Sequence, residues 1–273
     1  MPATNPVLCG SIAGRPGVFG VAMHNAAYRA LGLDYVYVAF GTEDTAGAAA
    51  AMRTLGLRGL GVTMPHKLRI AEHLDTIDDE ARAIGAVNTV VNEKGRLIGY
   101  NVDWIGAVRA FREAFDVSRA RVAVVGAGGG ARAIVYGLVR EGARVTVYNR
   151  SEDRGRALAE CFGVAFGGPP EALTPATEFD LIAHATPVGF HDPDTTLLPI
   201  AALRPGSVVF DAVPAPIETR LLREAKAIGC RTISGVRMQL HQAARQFELY
   251  TGLRPDLAVM EEALRVAMTQ RAD

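Results

Sequence analysis

The sequence predicts an α/β protein, and three observations carry the prediction. Short apolar runs alternate with helical patterns along all 273 residues, which is the mark of parallel sheets covered by helices. Hydrophobic residues make up 49% and charged residues 21%, enough apolar surface for a folded globular chain of two-domain size. Between Arg121 and Tyr148 a strand, a glycine-rich turn, a helix and a second strand follow one another, a complete βαβ unit.

The elements read in order. Val7–Ala13 is a strand and Ala22–Leu31 a helix; Tyr35–Phe40 is a strand and Thr45–Leu55 a helix. Gly59–Thr63 is a strand, and Pro65–His73 reads as a helix opened by proline in its first turn. Val87–Val91 and Arg96–Tyr100 form a hairpin across Asn92–Gly95. A long helix, Asp103–Phe115, precedes the strand Arg121–Val125, a helix to about Glu141 and the strand Arg144–Tyr148. Leu181–Ala185 and Ser207–Phe210 are further buried strands. Helices Met238–Thr251 and Leu257–Gln270 close the chain, with Gly252 and Pro255 between them. No repeat or low-complexity stretch interrupts the pattern, and the glycine-rich half starts near residue 104.

Charge and cysteine usage exclude several classes of function. Lys plus Arg and Asp plus Glu both number 29, so no net field favours nucleic acid or an anionic membrane. The first residues carry no signal-peptide pattern, and no apolar run approaches the roughly 20 residues of a membrane span. Cys9, Cys161 and Cys230 are far apart and read as free thiols of a reducing, cytoplasmic compartment. No CxxC or HExxH spacing is present, so no metal site is expected.

Gly126-x-Gly128-x-x-Ala131 fits the G-x-G-x-x-G/A pattern of a dinucleotide site. The pattern needs small residues for three reasons, namely a tight turn at Gly126, backbone approach to a pyrophosphate at Gly128 and close helix–strand packing at Ala131. The pyrophosphate would rest on the helix N-terminus. Alone, such a turn could serve packing only; the strand before it, the helix after it and the second strand make it a Rossmann unit. An NAD site usually ends that second strand in Asp or Glu, for the ribose 2′-hydroxyl. Here Asn149-Arg150-Ser151 stands there, with Arg154 one turn later. Guanidiniums and a hydroxyl suit a 2′-phosphate, so NADP is expected, with NAD possible. Glu152 and Asp153 would favour the start of a helix capped by Ser151.

Four segments outside that unit stand out together: Gly61-Val62-Thr63-Met64-Pro65-His66-Lys67, Gly85-Ala86-Val87-Asn88-Thr89, Gly99-Tyr100-Asn101-Val102-Asp103, and Gly235-Val236-Arg237-Met238-Gln239-Leu240-His241-Gln242-Ala243. In this order, with the glycine-rich turn between the third and fourth, they resemble the shikimate dehydrogenase family over nearly the whole chain. The resemblance implies a split α/β substrate-binding domain, residues 1–103 with 236–273, around a Rossmann dinucleotide-binding domain, residues 104–235. It implies that Lys67 is the catalytic lysine and Asp103 its partner, and that Thr63, Asn88 and Gln242 hold substrate hydroxyls. Gly129, Gly130, Thr186 and Gly235 join the cofactor set, and the family's NADP-binding members share the Asn149–Arg154 pattern. The chemistry agrees: reducing a ketone by hydride leaves an alkoxide that needs a proton, and a lysine beside a carboxylate can carry it. Taken singly, Lys67 would read as a solvated lysine, Asp103 as a helix cap, Asn88 as a turn residue and Gln242 as a polar helix position.

The departures from the family cluster in one place. Typical members open with a Ser-x-Ser pair that anchors a substrate carboxylate; here the segment is Gly10-Ser11-Ile12-Ala13-Gly14-Arg15-Pro16-Gly17-Val18-Phe19-Gly20. A tyrosine expected three residues after Asp211 is replaced by Pro214, and an asparagine expected before Val62 by Gly61. The segment looks like the family's divergent shikimate dehydrogenase-like branch. Arg15 can replace the serines as a carboxylate clamp, or stand as an exposed loop arginine. The expected partner is a small molecule, a shikimate-type cyclic polyol or ketone, acted on by a monomer or homodimer. The alternatives are a quinate or other polyol dehydrogenase and a non-catalytic dinucleotide-binding regulator.

Overall fold

The computed structural model describes residues 5–270. The chain divides into two compact units, one running up to Val102 and resuming at Gln242, the other spanning Asp103–His241.

The first unit is built on a sheet of order β2-β1-β3-β5-β6-β4. Its strands are β1 (Val7–Ala13), β2 (Tyr35–Gly41), β3 (Gly59–Val62), β4 (Thr76–Ile77), β5 (Thr89–Glu93) and β6 (Arg96–Tyr100). β1 runs parallel to β2 and β3, while β5 runs antiparallel to β3 and β6, so the sheet is mixed. The β5–β6 hairpin dictates the reversal. Lys94 and Gly95 both take positive φ, +55° and +93°, as a two-residue hairpin loop requires, and Asn92 Oδ1 accepts the Gly95 N–H at 2.7 Å. Helices α1 (Phe19–Ala30), α2 (Thr45–Thr54) and α3 (Asp79–Ile84) connect the strands. Ile12, Met52, Leu60, Ile70, Val90 and Leu97 fill the core.

The segment Pro65–His73 is not the continuous helix its proline suggested. It forms two short 3₁₀ turns, His66–Leu68 and Ile70–His73. The backbone is drawn sideways: the Lys67 carbonyl accepts the Val87 N–H at 2.9 Å, and both His66 ring nitrogens are bonded to the neighbouring α2 region, as described below. A carbonyl engaged outside the segment is lost to the i→i−4 ladder.

In the second unit the sheet order is β12-β11-β10-β7-β8-β9. The strands are β7 (Arg121–Val125), β8 (Arg144–Tyr148), β9 (Ala165–Gly168), β10 (Leu181–His184), β11 (Val208–Asp211) and β12 (Arg231–Ser234). Every pairing is parallel, in the doubly wound order whose crevice opens where the connections reverse, between β7 and β10. Helices α4 (Asp103–Arg112), α5 (Gly129–Arg140), α6 (Glu152–Phe162) and α7 (Arg220–Ile228) cover it. The sequence of β7 shows why both faces are covered. Val122 and Val124 enter one core with Ile134, Leu138 and Phe210, and Ala123 and Val125 enter another with Ile182, Val209 and Leu222. A strand buried on both sides needs an uninterrupted apolar run, and each buried valine contributes about 1.5–3 kcal/mol.

Two further differences concern helix ends. α4 stops at Arg112, short of Phe115. α8 (Gly235–Thr251) starts three residues before Met238, whose side chain belongs to the core of the second unit with Ile233 and Phe210. The first turns of α8 therefore lie with the dinucleotide-type unit, and the division falls inside the helix at Gln242. α9 (Leu257–Thr269), capped by Asp256 onto the Ala258 N–H, packs against α1.

Candidate active site

At the crevice of the second unit the glycine-rich turn has the form its sequence demands. Gly126 follows β7 with φ +125°, and a Cβ placed there would stand 2.8 Å from the Ala185 carbonyl oxygen and 3.1 Å from Thr186 Cγ2. Only glycine satisfies both conditions. Gly128 occupies the N-cap of α5 with ordinary extended dihedrals, φ −83° and ψ −177°, and open space where its side chain would be. Gly129 and Gly130 form the first turn of α5, and Ala131 is fully buried against the sheet. The helix N-terminus thus presents unencumbered N–H groups to the crevice.

Beside this turn lies a pocket of about 150 Å³ lined by Ala127, Gly128, Asn149, Arg150, Ser151 and Arg154. It joins the glycine turn to the end of β8, and none of these lining residues carries a carboxylate. Arg150 and Arg154 are exposed there. Ser151 occupies the N-cap position of α6, but its hydroxyl makes no cap bond. Asn149 holds the turn instead, its Nδ2 donating to the Ser151 carbonyl at 2.7 Å. The Ser151 hydroxyl is therefore not committed to the helix. Thr186 stands across the crevice, at the end of β10, and Gly235 opens α8 where a Cβ would meet the Ala212 and Val213 carbonyl oxygens at 2.5 and 2.8 Å.

The first unit gathers Thr63, Lys67 and Asn88 through backbone bonds. Thr63 N–H donates to the Ile12 carbonyl at 3.1 Å, Val62 N–H to the Asn88 carbonyl at 2.7 Å and Asn88 N–H to the Tyr100 carbonyl at 3.0 Å. Thr63 is exposed and Lys67 half-buried, whereas Asn88 is fully buried. Asn88 Oδ1 accepts the Thr89 hydroxyl and the Val102 N–H, both at 2.8 Å. Those bonds fix the amide's orientation and leave its NH₂ as the donating end. Gln246 Nε2 in turn donates to Thr89 Oγ1 at 2.9 Å. Gln242 lies one turn earlier on the same face of α8. Asp103, 1% exposed, opens α4 in the second unit and directly follows Val102 in the chain.

Three participants were not legible from the sequence. His66, buried, bonds Thr45 Oγ1 through Nδ1 at 2.8 Å and the Thr42 carbonyl through Nε2 at 2.9 Å. A carbonyl only accepts, so Nε2 carries the hydrogen and Nδ1 accepts the threonine hydroxyl. This bridge anchors the turn that carries Lys67. Gln246 and Thr89 orient Asn88, as above. At Gly61, where the family resemblance expects asparagine, a Cβ would stand 2.9 Å from Tyr37 Oη and 3.3 Å from Gln246 Nε2. Tyr37 and Gln246 occupy the space of the missing side chain. Ser11 lies beside them, its Cβ 3.4 Å from where a Gly61 Cβ would stand. Arg15 is exposed on the loop after β1, and the Glu43 carboxylate crowds the neighbouring Gly14.

A doubly wound parallel unit with a glycine-rich turn at a helix N-terminus, in one chain with a mixed-sheet unit that carries a lysine, an asparagine and a threonine, fits the class of two-domain nucleotide-dependent dehydrogenases. Family comparisons narrow it. Residues 18–90 match the shikimate dehydrogenase substrate binding domain, residues 109–187 the shikimate / quinate 5-dehydrogenase family and residues 235–265 the shikimate 5′-dehydrogenase C-terminal domain. A shikimate dehydrogenase (NADP(+)) of Pyrococcus abyssi is 40% identical over 238 residues, 87% of this chain and 89% of that one. A crystal structure of a shikimate dehydrogenase in complex with NADP+ superimposes with a TM-score of 0.91 at 36% identity, covering 98% of both chains. The Thermus thermophilus enzyme, solved with NADP(H) and shikimate, superimposes with 0.87 at 37% identity, covering 95% of this chain and 98% of that one. This chain belongs to the shikimate dehydrogenase family.

Proposed function

We propose that this chain is an NADP-dependent oxidoreductase that moves a hydride between the nicotinamide and a shikimate-type cyclic polyol or ketone. The observation that carries the reading is the pocket in which the glycine turn and Arg150, Ser151 and Arg154 meet without a carboxylate. A ribose 2′-phosphate needs fixed positive donors, and a ribose diol needs an acceptor that this pocket lacks. Gly126, Gly128, Gly129, Gly130 and Ala131 would seat the pyrophosphate, and Asn149, Arg150, Ser151 and Arg154 the 2′-phosphate. Thr186 and Gly235 would flank the nicotinamide half. Bound NADP supplies or accepts the hydride; the chain's own residues manage the proton and the substrate.

Lys67 donates the proton to the ketone oxygen in reduction and takes it from the alcohol in oxidation, with Asp103 as its partner carboxylate. The Asn88 NH₂, Thr63 and Gln242 hold ring hydroxyls. Arg15 is the replacement clamp for a substrate carboxylate. The domain roles follow: residues 1–103 with 236–273 bind substrate and residues 104–235 bind the dinucleotide. The three free cysteines suit a reducing cytoplasm. No helix among the described residues is long and apolar enough to cross a membrane. The protein acts as a monomer or homodimer on a small molecule, with no nucleic acid or membrane involved.

Steady-state rates with shikimate and quinate, each with NADP and NAD, test the reading. Turnover fastest with NADP and shikimate supports it. Preference for quinate would move the enzyme to the second half of the shikimate / quinate description matched by residues 109–187. NADP binding with no turnover over a polyol panel would make the chain a dinucleotide-binding regulator and overturn the catalytic assignment.

A further inference from the structure

The second unit buries three linked polar residues, His184, Asp211 and Thr219, that the hydride-transfer reading does not use. His184 ends β10 and Asp211 ends β11, directly opposite each other in the parallel register, and they are 2% and 1% exposed. His184 Nδ1 lies 3.0 Å from Asp211 Oδ1, and Nε2 lies 2.6 Å from Thr186 Oγ1. Asp211 Oδ2 accepts the hydroxyl of buried Thr219 at 2.6 Å, and Oδ1 also accepts the Val213 N–H at 3.0 Å. Thr186 Oγ1 receives the Val188 N–H at 3.3 Å. Thr219, Asp211, His184 and Thr186 are thus linked in one line from the N-cap of α7 to the rim of the crevice.

The donors follow from chemistry. A carboxylate only accepts, so Nδ1–H donates to Asp211, and Nε2 shares a hydrogen with the Thr186 hydroxyl. Thr186 can then turn its hydroxyl only by breaking the partly buried bonds to His184 and to the Val188 N–H. The position of this lock matters. Thr186 faces Gly126 across the switch point between β7 and β10, on the side away from the pocket of Arg150 and Arg154. A dinucleotide whose 2′-phosphate lies in that pocket crosses the glycine turn and passes Thr186 with its other half.

We infer that His184 is a positioning residue: tethered by Asp211 and Thr219, it holds Thr186 and the turn to Val188 in the shape that receives the nicotinamide half of the cofactor. The inference rests on the proposed cofactor site. His184 touches no reacting group; it acts through Thr186 by preorganisation.

Calorimetry with two ligands tests it: NADP, and adenosine 2′,5′-bisphosphate, which reaches only the Arg150–Arg154 side. His184→Ala should raise the Kd for NADP about tenfold and leave that for the bisphosphate unchanged. Thr186→Val, close in shape but without the hydroxyl, should give the same selective loss. The double variant should be no worse than either single one, because both break one link. His184→Gln, which can still donate to Asp211 and accept from Thr186, should recover most of the affinity and also covers the case in which the alanine variant fails to fold. Unchanged NADP affinity in Thr186→Val, parallel loss of both ligands, or additive losses would overturn the inference. A wild-type protein that does not bind the bisphosphate would overturn the 2′-phosphate site instead; the same comparison with NAD and AMP would then decide the role of His184.

Discussion

Gly126 and Gly128 are two residues apart in one motif, yet the structure gives them opposite duties, and alanine separates them. At Gly126 an alanine must adopt φ +125°, outside the region open to L side chains. Such strain costs on the order of 1–3 kcal/mol. The added methyl would also press on the Ala185 carbonyl oxygen at 2.8 Å. That atom is part of a backbone pinned by the Ala185 N–H bond to Val125, so it cannot swing aside, and overpacking adds roughly 1–3 kcal/mol. Gly126→Ala should therefore lose about 2–6 kcal/mol of unfolding free energy before any ligand is present. At Gly128 the dihedrals are open to alanine and no atom lies within 4 Å of the new methyl. The small loss at an N-cap is offset by lower entropy of the unfolded chain, and stability should stay within about 0.5 kcal/mol of wild type. The same methyl, however, would occupy the approach of the pyrophosphate in the proposed site, and NADP should bind at least tenfold more weakly, about 1.4 kcal/mol. Urea denaturation gives the first quantity and calorimetry the second. Gly128→Ala binding NADP like wild type, or Gly126→Ala as stable as wild type, would refute the division of labour.

Other expected outcomes follow from the same geometry. Arg150→Ala with Arg154→Ala should narrow the preference for NADP over NAD measured by calorimetry; a wild type that binds NAD as tightly would sink the 2′-phosphate site. Lys67→Ala should depress kcat about 10²–10⁴-fold while cofactor affinity holds; an unchanged kcat on the best substrate would remove Lys67 from the chemistry. Arg15→Ala should raise KM for a carboxylate substrate by the equivalent of about 1.5–3 kcal/mol without affecting cofactor binding, and an unchanged KM would leave the substrate held by its hydroxyls alone. Finally, His24 is fully buried with neither ring nitrogen hydrogen-bonded among the described residues, and burial lowers its pKa to about 3. The unfolded chain binds that proton near pH 6.5 and the folded one does not, so stability is complete above 6.5 and falls as pH drops from 6.5 toward 3. The loss is about 2 kcal/mol by pH 5. His24→Phe should flatten this dependence in urea midpoints measured at pH 7.5 and 5, and an equal slope in both proteins would refute it.

The inner strands of the two sheets were legible because they have the simplest code, whereas the short edge strands β4, β9 and β12 were not read from the sequence. An uninterrupted Val–Ala run such as Arg121–Val125 fits few places besides a doubly covered strand. The glycine turn was legible for the same reason, since its residue types follow from backbone dihedrals and contact distances. Histidines were not. His24, His66 and His184 are all fully or almost fully buried, and no local pattern separates them. One stacks on Tyr37 at 4.2 Å, one bridges Thr45 and the Thr42 carbonyl, and one links Asp211 to Thr186. Their partners lie between 2 and 27 residues away in the chain, and only the fold brings most of them together. The same holds for Gln246, whose partner Thr89 is 157 residues distant. The broken helix after Pro65 failed for a related reason: the carbonyl of Lys67 is claimed by Val87, in the segment leading into β5.

The departures from the family concentrate where the fold constrains the chain least. Thr63, Lys67 and Asn88 sit in segments whose backbone is bonded to β1, β6 and one another. Moving any of them would break ladder bonds, and a change of side chain at Asn88 would orphan the Val102 N–H and the Thr89 hydroxyl. The loop from Gly14 to Val18 is different. It lies beyond the end of β1 and most of it is exposed, so a serine pair can be exchanged for an arginine with little cost to the sheet. Gly61 shows what happens when the exchange reaches the sheet itself: the lost side chain is matched by Tyr37 and Gln246 filling its place. In the proposed site, substrate identity would rest on that loop, on Pro214 and on one repacked position. The proposed hydroxyl-binding residues and the proposed dinucleotide site are each held by the fold of their own unit.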